Sequence, residues 1–327
     1  MDGARARGGP VHALTGPEDG TAAAHGVASG VGRTALLVAA ARAIETHRPD
    51  ALARDPLAEH FVRASPASAH WPLHPDQVPD AEADPLWGRL GRYFGLRTRV
   101  LDDHLLAAAR AGTRQVVILG AGLDSRAYRL DWPPGRVLHE IDTEQVLAFK
   151  RAVLDAAGAA PATERRPLAA DLRGDWAGPL LEGGFDPAEP TAWLAEGLLP
   201  YLPAEAERRL MAAVHRLSAP GSTLAYELKD VAAEPPAVRT APAYVAARER
   251  LGIDLRALFD AGPRPDSAAE LTRLGWTVAV RSPYDFTALH GRGPAPEPDD
   301  ALAANRWVFA ARRGRPGGVP GRIPGRR

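Results

Sequence analysis

Gln115-Val-Val-Ile-Leu119 runs directly into Gly120-Ala-Gly122-Leu-Asp124-Ser125, and the reading of these eleven residues decides the fold. A short continuous apolar run that ends on glycine suits a strand buried on both faces, the situation of a parallel sheet. The two glycines permit a tight turn and a close approach of a ligand to the backbone. In an open α/β sheet, ligands are expected at the carboxyl ends of the strands, which is where this turn falls. By itself a Gly-x-Gly after a strand is as easily a plain turn. Its position relative to an acid further on carries more weight.

Twenty residues beyond Gly122, at the end of the next strand candidate (Val137–Ile141), stands Asp142. An acid there is placed to accept both hydroxyls of a ribose; the competing role is a cap for the helix that starts at Thr143. A dinucleotide site would require a third glycine three residues after Gly122, and the chain has Ser125. The helix after the turn is short, since Pro133-Pro134 closes it. Both features disfavour NAD and favour a nucleoside without a pyrophosphate, such as S-adenosylmethionine (SAM).

Downstream the pattern strand, turn, helix repeats. Arg166–Ala170 is a weak strand and Thr191–Ala195 a clear one that leads to Glu196. Pro203–Ser218 reads as a helix, Ser222–Glu227 as a strand, and Leu228–Arg264 as a mostly helical insertion. Ser267-Ala-Ala-Glu270 has the form of a capping box for a helix ending at Gly275. Trp276–Val280 and Trp307–Ala311 are expected to close the sheet as an antiparallel pair. Upstream, Ala35–Ile44 and Arg97–Ala111 are helical, the latter with Leu101, Leu105 and Ala108 on one face and Gly112 as its stop. A loop rich in Pro, His and Trp (Ser65–Pro85) lies between them. The expected organisation is a tail (1–28), a helical N-terminal cap (29–114), a Rossmann-like domain (115–311) with insertion 228–264, and a basic tail (312–327). Both tails are too poor in large apolar side chains to offset their ordering entropy, so both are expected to be disordered.

Formal net charge is zero over 327 residues, so no global field draws the chain to nucleic acid or to an anionic membrane. There is no cysteine, which removes thiolate nucleophiles, zinc–thiolate sites and disulfides together. Basic charge is almost wholly arginine, the two lysines being Lys150 and Lys229. No secretory leader and no apolar run of bilayer-spanning length is visible, so a cytoplasmic location is the default expectation. Nucleophile-elbow, HExxH and Walker motifs are absent, and no metal site is expected.

Several segments taken together resemble the leucine carboxyl methyltransferase-like group of SAM-dependent O-methyltransferases. They are Thr34–Arg42, Arg97-Thr-Arg99, Gln115–Leu130, Glu140-Ile-Asp142, Asp171-Leu172 and Thr191–Leu202. The resemblance implies a class I methyltransferase fold: α/β, Rossmann-like, mainly parallel with an antiparallel strand at the end. It implies that Arg97 pairs with the methionine carboxylate of SAM and that Gly120 and Gly122 lie under the methionine portion. Asp142 would hold the ribose, Asp171 and Leu172 would flank the adenine, and Glu196 would meet the ammonium or sulfonium. Tyr201 and Trp193 stand nearby as pocket or packing residues, and Asp124 and Arg126 belong to the motif without an assigned contact. The implied activity is O-methylation of a small-molecule carboxylate or acidic phenol, as in bacterial secondary metabolism. An ionised carboxylate needs no general base, and the motifs offer none, since His104 and His215 both fall in helices. A non-catalytic SAM-binding protein and a nicotinamide-dependent reductase are the competing readings. The acceptor pocket is expected from the N-terminal helices, the Ser65–Pro85 loop and the insertion carrying Tyr244 and Phe259.

Overall fold

The computed structural model describes residues 30–229 and 234–313. The proposed disordered tails therefore lie outside the described residues, apart from Arg312 and Arg313. Arg312 belongs to the sheet, because its carbonyl accepts from Gly221 (3.0 Å) and its guanidinium donates to the His215 carbonyl (2.6 Å).

Among the described residues three α-helices precede the sheet: α1 (Gly30–Thr46), α2 (Ala58–Ala64) and α3 (Gly91–Arg110). A π-helical turn, Pro85–Leu90, leads into α3, so this helix starts six residues before the sequence expectation. Asp84 caps that turn by accepting from the Leu86 and Trp87 amides. Along α3 a stripe at four-residue spacing, Tyr93, Arg97, Leu101 and Leu105, is buried.

The sheet has seven strands: β1 (Gln115–Leu119), β2 (Val137–Asp142), β3 (Glu164–Ala169), β4 (Thr191–Ala195), β5 (Thr223–Lys229), β6 (Trp276–Arg281) and β7 (Asn305–Arg312). Their order is β3-β2-β1-β4-β5-β7-β6. The first five pair in parallel, while β7 inserts antiparallel between β5 and β6. The expected antiparallel pair exists, but its outer member is β6 and its inner member pairs with β5. All five β1 residues are buried, as the apolar run with covered faces requires.

The intervening helices are α4 (Arg126–Arg129), α5 (Glu144–Ala156), α6 (Ala177–Glu182), α7 (Ala204–Leu217), α8 (Pro242–Leu251), α9 (Ser267–Arg273) and α10 (Pro283–His290). The capping expectation for α9 shifts by one residue. Asp266, not Ser267, accepts from the Ala269 amide (2.9 Å), and Ser267 is buried against the Tyr226 hydroxyl (3.3 Å). One apolar cluster joins α1, α2 and α3 to one sheet face; a second covers the other face. The N-terminal helices thus share a core with the sheet and close over the strand ends that carry the candidate site. Among the described residues no helix is long and apolar enough to cross a membrane.

Candidate functional site

The strand order switches direction between β1 and β4, and the crevice at their carboxyl ends is where such a sheet takes a ligand. Gly120 and Gly122 turn the chain there with φ of +67° and +45°, a conformation costly for any residue with a Cβ. A Cβ on Gly120 would also lie 3.0 Å from Leu198 Cδ1. The Gly122 amide donates to Asp142 Oδ2 (2.7 Å) and the Thr143 amide to Oδ1 (2.7 Å). Asp142 therefore ties the turn to the end of β2; it does not cap α5, which starts at Glu144 with Thr143 as its N-cap and no side-chain cap bond, so the competing capping role is not the one its side chain takes. Burial outweighs these two bonds and raises its pKa.

Across the crevice, α3 brings Arg97 onto Glu196 (Nε to Oε1, 2.9 Å) at the end of β4. The other Glu196 oxygen accepts from Arg126 Nη1 (2.7 Å). Burial alone would raise the Glu196 pKa; Arg126 and Arg97 outweigh it and hold the carboxyl below its usual range. Arg126 is fully buried and also binds Asp124 and Asp102 (2.7 Å), and Asp102 in turn is gripped by Arg129 (2.6 and 2.8 Å). Arg42 of α1 donates to the Leu123 carbonyl (2.7 Å) and pairs with Asp55 (3.1 Å). A continuous chain of alternating charges thus links α3, the glycine turn and the end of β4.

Two members of this network, Asp102 and Glu227, escape the sequence reading. Glu227 accepts from Tyr93 Oη (2.7 Å) and Trp307 Nε1 (3.1 Å) on one oxygen, and from Arg97 Nη1 (2.8 Å) and the Gly197 amide (2.6 Å) on the other. The signal was present: Glu196 and Glu227 both lie near the carboxyl ends of adjacent strands, where a ligand is expected.

Gly120, Gly122 and Asp142 thus form one contiguous group, and Arg97 and Glu196 another, bridged where Leu198 packs at Gly120. Asp171 stands apart: its exposed carboxylate turns to Arg173 (2.7 Å), which lowers its pKa. Leu172 is buried beside Trp176 in the second core cluster. Trp193 lies in that same core, so its role is packing. His104 is no base for the crevice: it sits on Phe309 (ring centroids 5.3 Å) with burial pulling its pKa down to about 4. His215 accepts from Trp276 Nε1 (3.0 Å), also away from the crevice.

A pocket of about 650 Å³ opens beside Arg97, walled by α3, the Gly197–Tyr201 loop, the ends of β5 and β7, and the insertion with Tyr244 and Phe259. Contrary to the sequence expectation, Ser65–Pro85 contributes nothing to it. Its Trp71 packs on Trp87 (6.2 Å) and its Glu82 pairs with Arg48 and Arg92. No group of side chains suited to hold a metal ion occurs among the described residues.

These features suit a zwitterionic sulfonium nucleoside. The glycine turn leaves backbone accessible, Asp142 keeps unused lone pairs at a half-buried carboxylate, and Arg97 Nη2 has no partner among the described residues. Fold and crevice together define a nucleoside-binding α/β protein of the class I methyltransferase type.

Comparison with known proteins makes the class specific. The leucine carboxyl methyltransferase family model matches residues 35–215. A Streptomyces coelicolor protein named as a SAM-dependent methyltransferase is 62% identical over 288 residues, covering 88% of this chain and 95% of that one. A similarly named protein of Saccharopolyspora erythraea is 46% identical, with 88% and 97% covered. A solved structure of a methyltransferase from Thermobifida fusca is similar at 20% identity, TM-score 0.46, covering 69% of this chain and 83% of that one. The chain belongs to the leucine carboxyl methyltransferase family and is a SAM-dependent methyltransferase.

Proposed function

We propose that this enzyme methylates an oxygen, a carboxylate or an acidic phenol, of a small-molecule acceptor of secondary metabolism bound in the pocket beside Arg97. The observation that carries this reading is the pocket wall itself: it holds neutralised ion pairs and aromatic rings but no histidine. An acceptor that reaches it already ionised needs no proton removed. When bound, SAM supplies the electrophilic methyl group. On this side of the reaction the chain's residues bind, orient and exclude water.

In this reading Arg97 Nη2 takes the methionine carboxylate, and the Gly120–Gly122 backbone lies under the methionine portion. Asp142 accepts from the ribose hydroxyls, Asp171 and Leu172 flank the adenine, and Glu196 faces the positive end. Asp171 would exchange Arg173 for the adenine amino group, at little cost because that pair is exposed. The experiment is release of S-adenosylhomocysteine from SAM with a panel of small carboxylic acids, phenols, amines and thiols, at pH 6 to 9. Turnover of a carboxylic acid at a rate flat over that range supports carboxyl methylation. A rate that rises with the ionisation of a phenol supports the phenol. Turnover confined to amines or thiols would overturn the proposal.

A further inference from the structure

The register of β5 against β7 sets Glu227 opposite Trp307 and Lys229 opposite Asn305. Directly opposed residues in an antiparallel pair share a face, and positions two apart along a strand also share it, about 6.6 Å on. One sheet face thus presents two polar pairs in series: Glu227 with Trp307 beside Arg97, and Lys229 with Asn305 deeper in the same pocket.

Lys229 Nζ is almost fully buried and has three acceptors: the Ala301 carbonyl (2.6 Å), Asn305 Oδ1 (2.9 Å) and Glu234 (3.0 Å). Its donors are therefore spent on the protein, with Tyr244 and Phe259 rings at 5.7 and 5.8 Å. An ammonium has no lone pair to offer, so the Asn305 amide must turn its oxygen toward Lys229. The Asn305 Nδ2 then faces away from it, on a residue that lines the pocket, and has no partner among the described residues. The rings of Tyr201 and Phe259 pack at 5.3 Å to form one wall. Tyr93, Phe94 and Tyr244 add further aromatic surface.

Resting on the methyl-acceptor reading above, we infer that Asn305, oriented by Lys229, is the specificity residue for a planar aromatic acceptor. Its amide donates to a second oxygen on the ring edge opposite the oxygen that is methylated. The spacing of the two polar pairs along β5 matches the span of one substituted ring. Lys229 acts as a positioning residue, fixing which atom of the amide meets the ligand.

The test compares 4-methoxybenzoate, whose ring oxygen only accepts, with 4-methylbenzoate and the aliphatic hexanoate as acceptors, using wild type, Asn305→Asp and Lys229→Met. Calorimetric binding of SAM is measured first, since failure there defeats the methyl-transfer reading rather than this one. With SAM bound, wild type should favour 4-methoxybenzoate over 4-methylbenzoate by about tenfold in KM, the scale of one unsatisfied buried group. Asn305→Asp keeps the shape and the Lys229 contact but replaces the donor by an acceptor, with which a methoxy oxygen cannot pair, so it should erase that ratio while calorimetric SAM affinity stays within threefold. Lys229→Met frees the amide to rotate and should reduce the ratio as well. Where turnover is too slow to measure, ligand-observed NMR on the enzyme loaded with S-adenosylhomocysteine reads the same ratios as binding. Preference for hexanoate, a ratio unchanged in Asn305→Asp, or no aromatic probe bound would each overturn the inference.

Discussion

Replacing Arg126 by Met is the sharpest probe of the charge network. The guanidinium is 1% exposed and serves Asp102, Asp124 and Glu196. After its removal Asp102 still has Arg129 and Glu196 still has Arg97, but Asp124 retains only the amide of residue 126 (2.7 Å). The cost is therefore that of one buried, unpaired carboxylate, about 3–5 kcal/mol. At roughly 2–4 °C per kcal/mol for a domain approaching this size, the melting temperature should fall by on the order of 10 °C. In the wild type, burial would raise the Asp124 pKa, yet Arg126, joined by Lys150, the residue 126 amide and Arg129, outweighs it and holds it at about 2, below 3.8. A depressed carboxylate stabilises above its unfolded pKa and loses that stability as pH falls through its folded one. Its contribution, about 2 kcal/mol, is thus present at neutral pH and disappears between about pH 4 and 2. Without Arg126 the largest lowering influence is lost while burial remains, so the Asp124 pKa rises and the ionised carboxylate becomes costlier at neutral pH than in the wild type, a cost relieved on protonation. Thermal unfolding followed by near-ultraviolet circular dichroism should show the gap between mutant and wild type narrowing from pH 7 to pH 5. The double substitution Arg126→Met with Asp124→Asn should recover most of the loss. A fall of less than 2 °C, or a double mutant no better than the single, would refute the reasoning.

Asp142→Asn should weaken SAM binding by about 10- to 100-fold, the loss of charge-assisted hydrogen bonds of ~1.5–3 kcal/mol, with calorimetric affinity as the readout; a change below twofold would remove Asp142 from the cofactor site. Gly120→Ala should lower the melting temperature by several degrees, because left-handed backbone costs an L-residue ~1–2 kcal/mol and the new Cβ meets Leu198; an unchanged melting curve would contradict it. His139 is buried against Phe185, and burial first, then Arg166, pulls its pKa to about 4. The unfolded chain therefore binds a proton that the folded one refuses between about pH 6.5 and 4, so stability declines as pH drops through that window. His139→Phe should flatten this part of the stability profile, and a slope identical to wild type would exclude His139 as its source.

Much of this architecture was legible in the sequence because single features were unambiguous. The apolar run Gln115–Leu119 has no polar face, so it had to be covered on both sides, and the glycines fixed the ligand side. Asp142 followed from its spacing after Gly122, and Glu196 from its place at the end of the Thr191–Ala195 strand, its role coming from the family resemblance. What escaped was cross-strand. The sequence reading ends β5 at Glu227 and starts β7 at Trp307, two residues short at the facing ends. Among those four missing residues are Lys229 and Asn305, whose pairing forms part of the pocket wall. No local pattern marks them, because their partners lie 76 positions away along the chain. Arg126 was legible only as a motif residue that could hold the turn and its helix; that Asp102 and Glu196 from other elements also converge on it has no local signal.

The chain's cationic side chains are arginine at every position but two, and both lysines are buried. Lys150 pairs with Glu140 (2.7 Å) where Arg165 also reaches the same carboxylate, and Lys229 fills its three-acceptor niche. A compact ammonium points three donors to diverging acceptors, which a planar guanidinium fork does not reproduce. In the pocket this has a chemical consequence. Arg97 is balanced by Glu196 and Glu227, and Lys229 by Glu234, so the wall offers neutral pairs and aromatic faces rather than a net field. Under the proposed reaction a sulfonium cation and an oxyanion become a thioether and an ester or ether, both uncharged at the reacting atoms. Surroundings of low polarity that add no stabilising charge to either reactant favour a step that destroys both charges. The same wall would oppose a neutral acceptor, whose methylation releases a proton where no histidine lines the pocket and the Glu227 carboxylate is already held by Arg97.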